Sequence, residues 1–249
     1  MSAHLVGIIG GSGMDRLQDI EVLGRQVLPT PHGPPSAPVI HIRLGGGDGY
    51  LLARHGSGHT LAPHEINYRA NIWALKHLGV RQVIAINTVG AIRGDMGPGE
   101  LVLPDQIIDY TWGRAHTFHE GSAAIVAHAD FTEPYSAEVR ELLIDAAGEA
   151  GVEMHVGGTY GATQGPRLES RSEIDRMERD GCDVVGMTGM PEAALARELD
   201  LEYASCAVVV NMAAGRGDGG EGIHEEIERH MDLGMGRMRR VLEQLMMNL

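Results

Sequence analysis

Positive charge is scarce in this sequence: 20 Lys and Arg stand against 34 Asp and Glu, a formal net charge of −14 over 249 residues. Such a balance repels phosphate backbones and anionic lipid, so neither nucleic acid nor a membrane surface is an expected partner. An anionic small molecule would need its own local cluster of donors. Aromatic residues make up only 4% of the chain, so the core must be aliphatic and methionine-rich. The two cysteines, Cys182 and Cys206, give neither a disulfide framework nor a metal-ligand spacing, and two buried free thiols are expected. No apolar run approaches the length of a membrane span. The opening MSAHLVGIIGG lacks the cationic segment and long apolar stretch of a signal peptide, which makes a reducing cytoplasm the expected compartment.

What remains is an ordinary globular composition, 43% hydrophobic and 22% charged, with no internal repeat and no low-complexity segment. Strands are predicted over 4–9, 38–43, 50–53, 82–87, 100–103, 156–163, 183–186 and 203–210, several of them short Val/Ile runs. Helical patterns lie between them. In 67–79, Ile72, Leu75 and Leu78 share a face and Gly79 ends the helix; 136–151 likewise ends at glycine. Ser170 and Glu173 have capping-box spacing ahead of 171–180, Pro191 and Glu192 suit the first turn of 191–199, and a last helix runs from about Glu225. Its apolar face would use Ile227, Met231 and Leu233–Met238. Alternating strands and helices predict an α/β fold, a central sheet flanked by helices. No Pro/Gly/Ser-rich linker divides it, so residues 1–249 read as one domain.

The candidate chemistry sits where strands end. In IIGGSGMD (8–15) a dinucleotide fingerprint fails, because Arg16 stands where its last glycine should, and no lysine completes a P-loop. The glycine-rich turn with Ser12 fits an anion nest or a plain tight turn equally well. In LLARHGSGHTLAPHE (51–65), His55 and His59 have helical zinc spacing, but Gly56, Gly58 and Pro63 make a helix there unlikely to form. Adjacent Arg54 and His55 suit an anion better, with a surface ion pair as the alternative for Arg54. Asn87 and Thr88 follow strand 82–87, Glu169 precedes a helix, and Met187 and Thr188 stand between a strand and a helix. The valine run of AVVVNMAAGRGDGGEG (207–222) ends on Asn211, which could cap a turn or meet a ligand. Together these groups suit a phosphate on one side and a polar heterocycle on the other.

The order GGSGMD, ARHG, NYRANIWAL, GPRLES, GMTGMPEAALARE and VVVN resembles the trimeric purine nucleoside phosphorylase and methylthioadenosine phosphorylase family over almost the whole chain. With DYTWGRAHTF (109–118) the resemblance is greatest to its bacterial S-methyl-5′-thioinosine branch. It implies one α/β domain with a central mixed sheet, a homotrimer with sites near subunit interfaces, and a role in purine salvage. It also implies no metal and no organic cofactor, with inorganic phosphate as co-substrate. Carried over, it assigns phosphate to Ser12, Arg54, His55, Asn87, Thr88 and Thr188. Met187 would pack on the nucleoside, and His128 would reach the 5′ end from a neighbouring subunit. Glu169 and Asn211 would face the base as the catalytic pair. The HEE of IHEEIERH (223–230) resembles the branch whose histidine meets the ribose 5′-hydroxyl, which makes His224 a candidate for the 5′ pocket.

Adenine-specific relatives carry aspartates where this chain has Asn211 and Ala213, and lack a carboxylate at the place of Glu169. Glutamate can accept from the N1–H of a 6-oxopurine, and alanine cannot accept from a 6-amino group, so hypoxanthine or guanine nucleosides are expected. The competing readings are an adenine-type methylthioadenosine phosphorylase, a water-using nucleosidase, and a non-catalytic nucleotide- or phosphate-binding module.

Overall fold

The computed structural model describes residues 5–13, 20–121, 127–217 and 223–249, with side chains in the last stretch from residue 227. Along the chain run β1 (Val6–Gly10), β2 (Glu21–Gln26), β3 (Val39–Leu44), β4 (Gly47–Ala53), α1 (Tyr68–His77), β5 (Gln82–Ala91), β6 (Leu101–Leu103) and β7 (Gln106–Asp109). They are followed by α2 (Ala137–Glu149), β8 (Met154–Val156), β9 (Thr159–Ala162), α3 (Arg171–Asp180), β10 (Val184–Gly186), α4 (Glu192–Glu198), β11 (Glu202–Met212) and α5 (Ile223–Met247). The described strands form one mixed sheet in the order β2-β3-β4-β1-β5-β10-β9-β7, with β11 on β5 and β6, and β8 on β6.

Strand side chains alternate between two cores because successive Cβ atoms leave opposite faces of a sheet. On β5, Val83, Ala85 and Val89 join the core under α1 and α4, while Ile84 and Ile86 join the core under α2 and α5. On β11, Ala207 and Val209 take the first side, and Cys206 and Val208 the second. Covering both faces with helices leaves the middle strands largely apolar, each buried Val or Ile contributing about 1.5–3 kcal/mol. Cys182 and Cys206 are both buried free thiols, as expected from their number and spacing.

The helix signals hold in detail. Asn67 accepts from the Ala70 N–H to cap α1, and Ser136 accepts from the Val139 N–H to cap α2. Ser170 and Glu173 make the reciprocal capping box of α3, which ends at Gly181 with φ +95°. Three strand expectations need correction, and two strands were not expected. The segment 156–163 is two strands, broken where Gly157 and Gly158 take φ +95° and +118°, outside strand geometry. Strands β2 and β7 escaped notice because β2 is a largely exposed edge of mixed polarity and β7 has only four residues. Strand β5 continues past Asn87 to Ala91, and β11 continues past Val210 to Met212, because each supports the other through that stretch. Leu233, read as part of the apolar face of α5, is 49% exposed.

Candidate active site

Register brings the anion candidates together. Gly10 of β1 lies beside Ala53 of β4 on one edge and Ile86 of β5 on the other. The next residues of all three strands, Gly11–Ser12, Arg54–His55 and Asn87–Thr88, therefore emerge side by side. On this edge β5 pairs with β1 as far as Ile86 and with β10 only from Gly90, while β11 occupies its other edge throughout. Among the described residues, Asn87, Thr88 and Val89 thus have no strand neighbour on the β1/β10 side. A cavity of about 540 Å³ opens at this change of partners, a place where α/β sheets commonly bind ligands.

One side of the cavity carries Gly11, Ser12, Arg54, His55, Thr88 and Thr188. Arg54 is fully buried, and its guanidinium forms a two-pronged pair with Glu192, Nε to Oε2 at 2.7 Å and Nη2 to Oε1 at 2.8 Å. Its Nη1 donates to the Ile86 carbonyl at 3.0 Å, and the Tyr203 hydroxyl donates to Glu192 Oε1 at 2.9 Å. Burial works against the charged guanidinium, but the Glu192 carboxylate outweighs it and holds the Arg54 pKa above its ordinary value. The surface ion pair weighed for Arg54 is thus replaced by a buried one. Three of its five N–H groups are used, which leaves two for a ligand.

His55 is 8% exposed, and its Nδ1 lies 2.8 Å from the Leu61 carbonyl. A carbonyl only accepts, so Nδ1 carries the proton and Nε2 is an acceptor in the neutral ring. Burial first, then the charge of Arg54 and the ring of His59, lower the His55 pKa to about 4. The His55 and His59 rings stack with centroids 4.3 Å apart in a turn, not a helix. Asn87 is 1% exposed and absent from the cavity wall. Its Nδ2 donates to Thr188 Oγ1 at 2.7 Å, and its Oδ1 accepts from Ser205 Oγ at 2.8 Å. Each end of the amide is engaged, and Asn87 stands behind the cavity wall and orients Thr188.

The cavity wall also includes Val185, Met187, Glu169, Asn211 and Ala213. Asn211 reaches it because the register of β11 slips between Val209 and Asn211, a bulge that sets Asn211 against Gly90. Its Nδ2 donates to the Met212 carbonyl at 2.7 Å. Glu169 stands one residue before the Ser170 cap, and its Oε1 accepts from the Thr163 hydroxyl at 2.6 Å. A Cβ on Gly165, where φ is +60°, would lie 2.5 Å from Met187 Sδ, so the thioether is packed directly on that glycine. His128 is exposed and does not line this cavity, and the side chain of His224 lies outside the described residues.

Several wall and support residues carried no local signal. Ile227 and Met231 of α5 close one end of the cavity, and the stretch His59–Pro63 forms a rim. Glu192 reads locally as an ordinary first-turn glutamate, and Tyr203 and Ser205 as strand residues. Only the sheet brings them under Arg54 and Asn87.

A family model described as the phosphorylase superfamily matches residues 5–246. The chain is 52% identical over 227 residues to a probable S-methyl-5′-thioinosine phosphorylase of Xanthomonas campestris, covering 91% of each chain. It is 47% identical over 215 residues to the 6-oxopurine nucleoside phosphorylase of Pyrococcus furiosus, covering 84% of this chain and 80% of the relative. Among solved structures, the methylthioadenosine phosphorylase of Schistosoma mansoni in complex with adenine superposes with a TM-score of 0.92 at 33% identity, over 98% of this chain and 91% of that one. The fold, the cavity at the β5 partner change and these similarities agree: the chain belongs to the phosphorylase superfamily.

Proposed function

We propose that this chain catalyses phosphorolysis of 6-oxopurine nucleosides, S-methyl-5′-thioinosine foremost, to the free purine and (5-methylthio)ribose 1-phosphate. Two relatives of about 50% identity, a probable S-methyl-5′-thioinosine phosphorylase and a 6-oxopurine nucleoside phosphorylase, support the reaction class. The carrying observation is one cavity lined both by Arg54, His55, Thr88 and Thr188, which suit an anion, and by Glu169 and Asn211, which suit a purine. A phosphate oxygen attacks the anomeric carbon as the bond to purine N9 breaks, and the electron pair leaves with the base. Negative charge grows along the N7/O6 edge, where the Asn211 N–H can donate, while Glu169 accepts from N1–H. An acceptor Nε2 on neutral His55 complements the P–OH of hydrogen phosphate, and the two remaining Arg54 N–H groups complement its anionic oxygens.

In this reading inorganic phosphate is the co-substrate and no metal or organic cofactor takes part, because the donors are hydroxyls, backbone and a guanidinium suited to phosphate itself. We further infer a cytoplasmic homotrimer. Its support is family resemblance, together with a His128 that is exposed and does not line its own cavity. His224 is the candidate that would admit a 5′-hydroxyl beside a methylthio group.

The adenine-type reading draws on the likeness to a methylthioadenosine phosphorylase. Ala213 and Glu169 oppose it, since alanine offers no acceptor to a 6-amino group and the Glu169 carboxylate would meet the unprotonated N1 of adenine, acceptor against acceptor. Base release from S-methyl-5′-thioinosine, inosine, guanosine and S-methyl-5′-thioadenosine, with and without phosphate and with a chelator, tests the proposal. The 6-oxopurine substrates should turn over only with phosphate and regardless of chelator. Preference for the adenine nucleoside, or equal release without phosphate, would refute it.

A further inference from the structure

Within DYTWGRAHTF stands a cation that no ligand role has absorbed. Arg114 is 8% exposed, and among the described residues no carboxylate pairs with it. Its guanidinium faces neutral oxygens instead. Nη2 donates to the carbonyls of Thr163 at 3.2 Å and Gln164 at 2.8 Å, and Nε donates to Gln164 Oε1 at 3.2 Å. Nη1 has the carbonyls of Met187 at 2.9 Å and Met190 at 2.5 Å, and the Tyr68 hydroxyl at 3.2 Å, within reach. Tyr68 in turn donates to the Pro63 carbonyl at 2.9 Å on the cavity rim.

Burying a full charge without a counter-ion is costly, so this arrangement is unexpected for a residue that merely fills space. What it holds is informative. Thr163 and Gln164 follow β9, Met187 and Met190 follow β10, and Pro63 belongs to the rim. The segments after β9 and β10 meet directly on one planar fork, and the rim at Pro63 is tied to it through the Tyr68 hydroxyl. Thr163 also donates its hydroxyl to Glu169 at 2.6 Å, so the position of that carboxylate depends on the same backbone.

We propose that Arg114 is a positioning residue for the purine end of the site, clamping the carbonyls of Thr163, Gln164 and Met187 so that Glu169 and the Met187 thioether meet the base in fixed register. This rests on the reading that Glu169 and Met187 face the nucleoside. Thr188 lies on the same segment but is fixed besides by the Asn87 amide on its hydroxyl and the Tyr160 hydroxyl on its N–H, and Arg54 is held by Glu192. Loss of the clamp therefore acts mainly on the nucleoside.

The test is a two-substrate kinetic analysis of Arg114→Lys and Arg114→Met, with thermal unfolding followed alongside. Lysine keeps the charge but has three donors on one nitrogen, so it cannot span the two segments and the Tyr68 hydroxyl together. The nucleoside KM should rise about tenfold or more in the Lys variant, the scale of one lost charge-assisted hydrogen bond, while the phosphate KM stays within about twofold. Added guanidinium at non-denaturing concentration should lower the nucleoside KM of the Met variant again. If that variant does not fold, the Lys variant decides alone. An unchanged nucleoside KM, or a parallel rise in both KM values, would overturn the proposal. Glu169→Gln, assayed in parallel, separates the two readings: if it leaves nucleoside KM and kcat untouched while Arg114→Lys raises KM, the assignment of Glu169 to the base fails and the clamp acts through Met187 alone.

Discussion

Arg54 and Glu192, 138 residues apart in the chain, face each other through two hydrogen bonds of 2.7 and 2.8 Å with neither side chain exposed. Such a pair has two separable consequences. Removing one partner strands a buried charge, which typically costs about 3–5 kcal/mol, whereas replacing both by apolar groups of similar volume is often neutral or stabilising. Glu192→Ala should therefore unfold at markedly lower urea concentration. The double variant Arg54→Met/Glu192→Leu should recover much of that stability and yet use phosphate poorly. Recovery of both stability and phosphate use would show that Arg54 is structural only.

Asn87 and Thr188 offer a second separation. A direct phosphate ligand and a residue that aims one differ in a double-mutant cycle. If Asn87 acts through Thr188, the rises in phosphate KM caused by Asn87→Ala and Thr188→Ala will be strongly non-additive. Ser205→Ala, with no part in the cavity wall, will raise phosphate KM in the same direction. Asn87→Ala also leaves two buried hydroxyls short of a partner, a cost of about 1–3 kcal/mol. Additive effects, with Ser205→Ala silent, would return Asn87 to direct contact.

His55 makes stability depend on pH in a definite direction. Its native pKa is lowered from 6.5 to about 4, burial being the main cause. The unfolded chain then binds the proton more readily than the native one. The contribution is complete above pH 6.5, is lost as the pH falls toward 4, and changes little below that. Urea midpoints at pH 7.5, 5.5 and 4 should show a smaller decline in His55→Gln than in the wild type. Equal declines would mean that the imidazole is not held neutral in the native state.

On the base side, Asn211→Asp should depress turnover of 6-oxopurine nucleosides. A carboxylate there opposes the charge that develops on the leaving purine. Loss of one such transition-state donor costs about 2.7–4 kcal/mol, or roughly a hundred- to thousand-fold in kcat. Wild-type kcat with S-methyl-5′-thioinosine would reduce Asn211 to a residue of the β11 bulge.

Local rules reached far into this fold because so many of its boundaries are set by local chemistry. The Ser170–Glu173 box, the Asn67 and Ser136 caps and the glycine stops each act within a few residues, so spacing alone located them. Strand ends were also legible, since valine runs give way to glycine and small polar residues there. The edge strand β2 was not, because its mixed exposure leaves no alternation to read. The lengths of β5 and β11 were underestimated for a different reason: their last residues are strand only because they lie against one another. In the site, Ser12, His55, Thr88, Thr188, Met187, Glu169 and Asn211 could be named from residue type and place. The supports could not. Glu192, Ser205 and Arg114 acquire their partners across 50 to 138 residues of chain, through a sheet that spacing does not describe.

The gap on β5 between its β1 and β10 partners has a consequence for assembly. Its two bordering pairings join residues 6–10 to 82–86 and 90–91 to 184–185, and β11 must close the far edge from 202–212. No fragment or half-docked intermediate can contain the cavity, since each wall arrives from a different region of the chain. Whatever fills it is thus a ligand of the completed fold alone, and would raise stability by about 2.7 kcal/mol at a hundred times its Kd. Occupancy by substrate then doubles as protection against unfolding, strongest when the cell has most work for the enzyme.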